Sequence, residues 1–392
     1  MPGDREKLLS SLWGTVARNR GTTVRSIVLA AAGILAFSIQ IAAAKPAAKP
    51  KEEPQGLWVG GSQYISEFQG KALKRSGDPR ANLAFRSSAY TGPVSITFDT
   101  HNNLWAIYYA SDYNLGSVIE LSRADLASLK SGNPVKPKVI TPYPYIFPDQ
   151  LAFDASGDLW IAASQDPVSE IIELLPSQIK KSGAPSPTIS ITSSDFAPGA
   201  IRFDASDNLW VVQFQIPYEP PNSIQMGRYA AGDRAISGPA TPGLIVNLPD
   251  FVSVVDFAFD NSGNLWLAGS ISPTPYWTST INDTLEMISA ADLTGTGEVS
   301  PAAAVTITSS AFGIPDSGGG CLGGIDFDRS GDLWVSVAAN YPHCPADAQL
   351  VEFTPSQLST GGNLTPSVTI SQNAKGTNLF TPGPLRFGPT VP

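Results

Sequence analysis

The hydrophobic pattern of this chain repeats around a Leu-Trp pair that occurs six times. Five of the six pairs follow a short apolar strand that ends in Phe-Asp and a tight turn, as in residues 151–160, LAFDASGDLW. Alternating, β-branched third and fourth strands then follow within each repeat. Successive tryptophans are 47 to 68 residues apart, the length of a four-stranded sheet with its loops. The pairs are Leu57-Trp58, Leu104-Trp105, Leu159-Trp160, Leu209-Trp210, Leu265-Trp266 and Leu333-Trp334.

The turn between the first two strands of a repeat has the form Asp-x-x-Gly, or the same form with Asn or Asp in the last place. The first Asp can accept hydrogen bonds from turn amides, and the last residue needs a positive φ, which Gly, Asn and Asp tolerate best. The same residue types could form a calcium loop, but a hairpin accounts for every copy without a metal. The copies begin at Asp99, Asp154, Asp204, Asp260 and Asp328.

The first and last copies of the repeat each lack the strand that the other one has. Leu57-Trp58 has no inner strand before it, whereas residues 382–388, PGPLRFG, match an inner strand that lacks the Leu-Trp return. We therefore predict an all-β fold over residues 56–392. It is a six-bladed β-propeller in which the C-terminal strand completes the N-terminal blade and leaves no exposed edge.

The N-terminal segment predicts export. Arg18, Arg20 and Arg25 precede an apolar run, Ile27 to Ala44, that ends in small residues, which is the order of a secretory signal. Because the run is almost long enough to cross a bilayer, residues 1–44 are a signal peptide or an N-terminal membrane anchor. Residues 45–55, rich in Pro, Ala and Lys, predict an extended tether. Either alternative predicts a periplasmic or extracellular ring, with membrane contact only through an uncleaved N-terminal segment.

Charge narrows the class of partner. Without residues 1–44 the chain has 20 basic and 32 acidic residues, a formal charge of −12. Such a surface repels phosphate backbones, so we expect no nucleic-acid partner, and it favours solubility or a cationic partner. We expect a monomer.

The two cysteines flank the sixth hairpin. Cys321 lies before the inner strand and Cys344 lies after the return strand, so both should emerge at the same open end of the hairpin. In an oxidising compartment this placement predicts a disulfide, and the alternative is a pair of free thiols.

The repeat phrase resembles that of the NHL, SMP-30/gluconolactonase and streptogramin-lyase-like propellers, and residues 259–267, FDNSGNLWL, match it closely. The resemblance covers six hairpins, about a third of the chain. It implies a propeller that is a ligand-binding module, a lactonase with a divalent metal in the central tunnel, or a lyase with a histidine at the tunnel mouth. The glutamate ligand of the lactonase-like members has no counterpart, because the corresponding strand offers Pro384, Arg386 and Gly388.

Two histidines are present for the lyase-like role. His101 lies in a hairpin turn at the end opposite the usual site. His343 lies beside Cys344 in a loop at the functional end and is the catalytic candidate.

Four charged residues on predicted inner strands form a second group of candidates. They are either structural ion pairs that plug the channel or a polar ligand site in which arginines receive an anionic group. With a neutral oxygen ligand, Asp256 and Asp326 could also form an atypical divalent-metal site. The four residues come from consecutive blades and are Arg202, Asp256, Asp326 and Arg386.

Extra aromatic residues in the loops predict an uneven rim at the channel mouth, where propellers place specificity. They are Tyr143, Tyr145, Tyr218, Tyr276 and Trp277. The sequence thus predicts an exported binding module for a polar small molecule, glycan or protein. The alternative is a lactonase-like hydrolase or lyase with an atypical divalent-metal site.

Overall fold

The computed structural model describes most of the chain from Pro54 onward, and every structural statement below concerns its described residues. Residues 1–53, which hold the predicted signal and most of the tether, lie outside them. No helix in the described part is long and apolar enough to cross a membrane. The described ranges are 54–61, 64–86, 90–110, 116–141, 147–164, 169–193, 196–215, 224–272, 281–313, 320–339, 344–371 and 383–391.

The described residues form six sheets, each a propeller blade in which an inner, a second, a third and an outer strand pair antiparallel. The predicted six-bladed propeller is therefore confirmed. In blade 1 these strands are Leu385–Pro389, Gln55–Gly60, Tyr64–Gln69 and Leu83–Arg86. In blade 2 they are Tyr90–Phe98, Leu104–Ala110, Gly116–Leu121 and Lys138–Ile140. In blade 3 they are Phe147–Phe153, Leu159–Ser164, Ser169–Leu174 and Ile189–Ser193.

The remaining three blades follow the same order. In blade 4 the strands are Phe196–Phe203, Leu209–Gln215, Ile224–Tyr229 and Leu244–Leu248. In blade 5 they are Phe251–Phe259, Leu265–Ile271, Asn282–Ile288 and Val305–Thr308. In blade 6 they are Leu322–Phe327, Leu333–Val337, Gln349–Phe353 and Val368–Ser371.

The ring closes as predicted, through the C-terminal strand. Leu385–Pro389 pairs antiparallel with Gln55–Gly60 and becomes the inner strand of blade 1. The amide of Gly60 donates to the carbonyl oxygen of Pro384 at 2.8 Å, which extends the pairing by one residue. Both ends of the chain thus contribute to one sheet, and the N-terminal blade has no unpaired inner edge.

The turn aspartate of each repeat holds the hairpin together. One carboxylate oxygen accepts hydrogen bonds from the amides two and four residues later, as Asp204 does from Ser206 and Asn208 at 2.9 Å. In blades 2 to 5 the other oxygen accepts from the indole Nε1 of the repeat tryptophan at 2.9–3.3 Å. The predicted positive φ is also confirmed: it is 64° at Asn102 and 62° at Asp207, where other copies have Gly.

Each repeat tryptophan packs against the phenylalanine at the end of the next blade's inner strand. Ring centroids lie 5.5–6.4 Å apart, in edge-on or tilted geometry. The sixth contact joins Trp334 to Phe387 of the C-terminal strand, so the same interaction links all neighbouring blades. The pairs are Trp58–Phe98, Trp105–Phe153, Trp160–Phe203, Trp210–Phe259, Trp266–Phe327 and Trp334–Phe387.

A second link between blades lies at the outer edge of the ring. The connection between the third and outer strands of one blade reaches back and pairs parallel with the outer strand of the preceding blade. The longer pairings use Gly238–Pro239, Gly297–Val299 and Gly362–Asn363, and single bridges join Gly77 to Ile370 and Ile140 to Gly183. The helices of these connections are Gly70–Leu73, Arg123–Lys130, Ala290–Leu293 and Pro355–Thr360, and Ser310–Phe312 follows the outer strand of blade 5.

We predict that deletion of residues 384–392 destroys the cooperative melt of the ring. The deletion removes the inner strand of blade 1 and the phenylalanine partner of Trp334, and it exposes the edge of Gln55–Gly60. Calorimetry and size-exclusion chromatography measure the result, and we expect broad unfolding and aggregation. A truncated chain that melts like the intact one would show that the ring closes elsewhere.

Candidate functional site

The inner strands of blades 2 to 6 each carry a β-bulge or a similar irregularity. The register with the second strand shifts between Val254 and Asp256 in blade 5 and between Leu322 and Ile325 in blade 6. The inner strands of blades 2, 3 and 4 have similar shifts. A bulge turns the following side chain relative to the regular pleat. This local irregularity determines which side chains can meet.

The four predicted channel charges come together in one network. Nη2 of Arg202 lies 3.0 Å from Oδ2 of Asp256, and its Nη1 lies 3.0 Å from Oδ1 of Asp326. Nη1 of Arg386 lies 3.0 Å from the same Oδ2 of Asp256. Arg202 also donates to the carbonyl oxygen of Ile325. Since Arg202 belongs to blade 4 and Asp326 to blade 6, the guanidinium group reaches past blade 5 to connect them.

The network shifts the pKa values of its members. Burial alone would raise the pKa of Asp256, but Arg202 and Arg386 outweigh it and hold that pKa below its ordinary value. Burial alone would lower the pKa of Arg202, and the carboxylates of Asp256 and Asp326 reverse this and raise it. Burial and the neighbouring Arg202 lower the pKa of Arg386. The carboxylate of Asp256 is thus kept ionised by charge pairing.

The carboxylate oxygens of the network are already in use. Oδ1 of Asp256 accepts from the amide of Phe257 at 2.9 Å, and its Oδ2 accepts from both arginines and from the amide of Ile325. Oδ2 of Asp326 accepts from the amide of Phe387 at 2.7 Å. Every oxygen of Asp256 and Asp326 thus has a donor, and two guanidinium groups lie alongside. The geometry matches the ion-pair alternative for these four residues.

The channel position is neutral in blades 2 and 3. Ser95 Oγ donates to Oε1 of Gln150 at 3.1 Å and accepts from the amide of Leu151 at 3.1 Å. These side chains therefore satisfy each other and carry no charge that would bind an ion.

The loops that enter the inner strands and those that join the second and third strands share one end of the ring, which we call the mouth. Both cysteines lie here, and the predicted disulfide Cys321–Cys344 is present. Such a bond is typical of proteins in an oxidising, exported environment. The predicted rim residues lie outside the described residues, and so does His343. The rim residues are Tyr143, Tyr145, Tyr218, Tyr276 and Trp277.

One mouth contact was not predicted from the sequence. The carboxylate of Asp283, on the third strand of blade 5, accepts from the amides of Gly320 at 3.0 Å and Cys321 at 2.7 Å. It also accepts from Oγ of Ser270 at 2.6 Å. Asp283 thus fixes the segment that enters the inner strand of blade 6. Its partners lie on another blade, so a single repeat gives no signal for it.

His101 lies where the sequence placed it, exposed in the blade 2 hairpin at the end opposite the mouth. Its amide donates to Oδ1 of Asp99 at 2.9 Å, which is a contact within the turn. The channel network involves neither this residue nor its neighbours.

We predict that replacing both channel arginines with Met lowers the melting temperature by several degrees. The change leaves the buried carboxylate of Asp256 and the partly buried one of Asp326 without a cationic partner, which costs roughly 3 kcal/mol or more. Calorimetry measures the shift. As a control, the variant that also carries Asp256→Leu and Asp326→Leu should recover much of the loss, because it leaves no unpaired charge. A double arginine variant as stable as the parent would contradict this role.

We predict that Asp256 contributes stability that acid removes. Its folded-state pKa is below the ordinary value of about 3.9, so the contribution is complete above that value and is lost as the pH falls through the folded pKa. The free energy of unfolding, measured from neutral pH down to about pH 2, should therefore fall steeply in acid. In Asp256→Asn this acid limb should be shallower, and an unchanged acid limb would count against the prediction.

No protein-family model and no curated protein matches the sequence. Among solved structures, the chain is similar to a protein of unknown function from Bacteroides caccae, at 11% identity over 86% of this chain and 99% of that chain, with a TM-score of 0.49. It is also similar to a putative gluconolactonase, at 14% identity over 70% and 80% of the two chains, with a TM-score of 0.37. A third match is an inactive virginiamycin B lyase from Staphylococcus aureus with quinupristin, at 12% identity over 70% and 71% of the two chains, with a TM-score of 0.35. At these values the matches transfer no activity, and the propeller fold is established by the six sheets themselves.

Proposed function

We propose that this chain is an exported β-propeller that binds a polar ligand at its mouth and does not perform catalysis in its channel. The ligand is a polar small molecule, a glycan or a protein. The observation that carries the proposal is the closed ion-pair network among the inner strands, in which Arg202 and Arg386 engage both carboxylates.

A lactonase-like mechanism would need channel carboxylates that can hold a metal or accept a proton. Asp256 and Asp326 are each bound to arginine and to backbone amides. Breaking those bonds to admit an ion would leave a buried guanidinium group without its partner, which is costly. The described inner strands therefore support a scaffolding role for the channel charges, and recognition is assigned to the loops.

The mouth between blades 5 and 6 has features of a prepared binding surface. The disulfide ties Cys321 to Cys344, and Asp283 holds the amides of Gly320 and Cys321. Segments fixed before binding lose less conformational entropy when a ligand arrives. In the sequence, Tyr276 and Trp277 come between the second and third strands of blade 5, and they lie outside the described residues. Aromatic side chains suit a polar ligand with an apolar face.

The overall negative charge favours cationic ligands among the polar small molecules, glycans and proteins considered. The exported part has a formal charge of −12, which raises the local concentration of cations and speeds the association of a cationic partner. We therefore expect cationic members of a ligand panel to bind more tightly at low salt than anionic members of the same size.

The test is a screen of the full chain against polar small molecules, glycans and basic proteins by thermal shift, with titration calorimetry on the hits. We expect the affinity for a hit to fall roughly tenfold or more in the double variant Tyr276→Ala, Trp277→Ala, because aromatic anchors dominate such interfaces. The matched control is Ile236→Ala, which removes an exposed apolar side chain from the connection between the third and outer strands of blade 4. This control should bind like the parent.

Two results would contradict the proposal. One is a ligand whose affinity is the same in the mouth variant and the parent chain. The other is turnover of lactones by the full chain when calcium, magnesium or zinc is supplied, which would favour the hydrolase alternative.

A further inference from the structure

The turn of blade 3 departs from the pattern of its neighbours. In blades 2, 4 and 5 the residue four places after the turn aspartate is Asn. The side-chain Nδ2 of this Asn donates to Oδ2 of the aspartate at 2.8–2.9 Å. Blade 3 has Asp158 at this place. A carboxylate cannot donate this bond, so Asp158 puts a like charge beside Asp154 instead of a hydrogen bond.

A third carboxylate faces the same point. Glu173 lies on the third strand of blade 3, opposite Trp160 in the register. Asp154, Asp158 and Glu173 each offer an oxygen atom, and these atoms all lie within 4.8 Å of one another. Glu173 is only 7% exposed, and within the described part of the chain neither of its carboxylate oxygens accepts a hydrogen bond. It is thus a buried acid that points at two others.

The adjoining blade departs from the pattern at the matching place. In each repeat the leucine of the Leu-Trp pair faces a residue on the third strand, as Leu209 faces Tyr229 in blade 4. Five residues after that facing residue, blades 2, 3, 5 and 6 have a buried aliphatic side chain, whereas blade 4 has Arg234. The guanidinium group donates to Oδ2 of Asp154 at 3.3 Å and binds Asp207. It lies 5.2 Å from the ring of Trp160. The aliphatic residues are Leu126, Ile179, Leu293 and Leu358.

Arg234 does not neutralise this seam. Its two ion pairs are with Asp154 and Asp207, and Asp158 and Glu173 have no ion pair in the described residues. Four carboxylates and one guanidinium group give a formal charge of −3. Blade 2 shows the contrast, because its acid at the equivalent strand position, Glu120, forms an ion pair with Lys138.

The crowding of carboxylates has an electrostatic signature. Burial, followed by the charges of Asp158 and Asp154, raises the pKa of Glu173 to about 7, although Arg234 opposes the shift. Burial and Asp154 likewise raise the pKa of Asp158. The geometry carries the inference: three carboxylates within 4.8 Å of one another, two of them without an ion pair, offer oxygen ligands alone, and such a cluster suits a hard divalent ion.

We propose that the seam between blades 3 and 4 binds one hard divalent cation of the Ca²⁺ class. Asp158 and Glu173 supply the free oxygen ligands. Asp154 is the third carboxylate facing the ion, although its oxygens already accept from two amides, an indole and Arg234. Water completes the coordination shell. The ion links the hairpin of blade 3 to its third strand, at the end of the ring opposite the mouth, so this site is independent of the ligand proposed there.

The experiment uses the full chain after treatment with a chelator, titrated with calcium, magnesium or manganese chloride. Calorimetric titration should give one ion per chain, and the melting temperature should rise with ion concentration. The variants Asp158→Asn and Glu173→Gln should each weaken the affinity roughly tenfold or more, because affinity follows the number of charged ligands. Asp158→Asn introduces the residue type that blades 2, 4 and 5 already use, so this variant should fold.

Blade 6 supplies the matched controls. Asp332→Asn and Glu352→Gln remove the same charges from the same repeat positions, but there Oε2 of Glu352 accepts from Oγ of Ser367 at 3.0 Å. Both controls should keep the parent's response to the ion, as should the mouth variant Tyr276→Ala, Trp277→Ala.

The proposal is overturned if no divalent ion shifts the melting temperature of the parent chain. It is also overturned if both blade 3 variants keep the shift or if the blade 6 controls lose it. A parent chain that ignores ions but becomes more stable at neutral pH with Glu173→Gln would identify a bound proton in place of the cation.

Discussion

The ring depends on one repeated aromatic contact. In it, the tryptophan of one blade packs against the phenylalanine that ends the inner strand of the next blade. In blades 2 to 5 the indole is oriented by the turn aspartate of its own repeat, as Trp210 is by Asp204 at 2.9 Å. The phenylalanine immediately precedes the next turn aspartate. One ten-residue segment therefore builds a hairpin and contacts both neighbouring blades. The series can close only because the last strand of the chain supplies Phe387 to Trp334.

Closure also dictates the chemistry of the channel. Charged side chains on the inner strands of blades 4, 5, 6 and 1 lie within hydrogen-bond distance of one another and are largely shielded from solvent, which favours their pairing. The pairing in turn braces the ring: Arg202 of blade 4 binds Asp326 of blade 6, and Asp326 accepts from the amide of Phe387 in blade 1. The network therefore joins blades 4, 5, 6 and 1, which braces the fold across the closure of the ring.

The features that sequence could predict are those set within one repeat or by the two chain ends. The strand–turn–strand pattern predicts the blade, the turn geometry predicts the positive φ at Asn102, and the unmatched ends predict closure through the C-terminal strand. The contacts that sequence could not predict depend on distances between blades. The ion pair of Arg202 with Asp326 joins blade 4 to blade 6, and the bonds from the amides of Gly320 and Cys321 to Asp283 join blade 6 to blade 5. Repeat alignment locates such residues but does not pair them.

Two clusters of buried charge in this molecule differ in whether their carboxylates have positively charged partners within the chain. In the channel, two carboxylates meet two guanidinium groups, and every carboxylate oxygen has a donor, so the cluster is complete without a ligand. In the seam between blades 3 and 4, Arg234 pairs with Asp154 and Asp207 only, and Glu173 is buried without a hydrogen-bond partner among the described residues. A buried charge without a partner is retained at a cost in stability. That cost is removed only by a positive species from outside the chain, which makes the unbalanced seam the better place to look for bound ions.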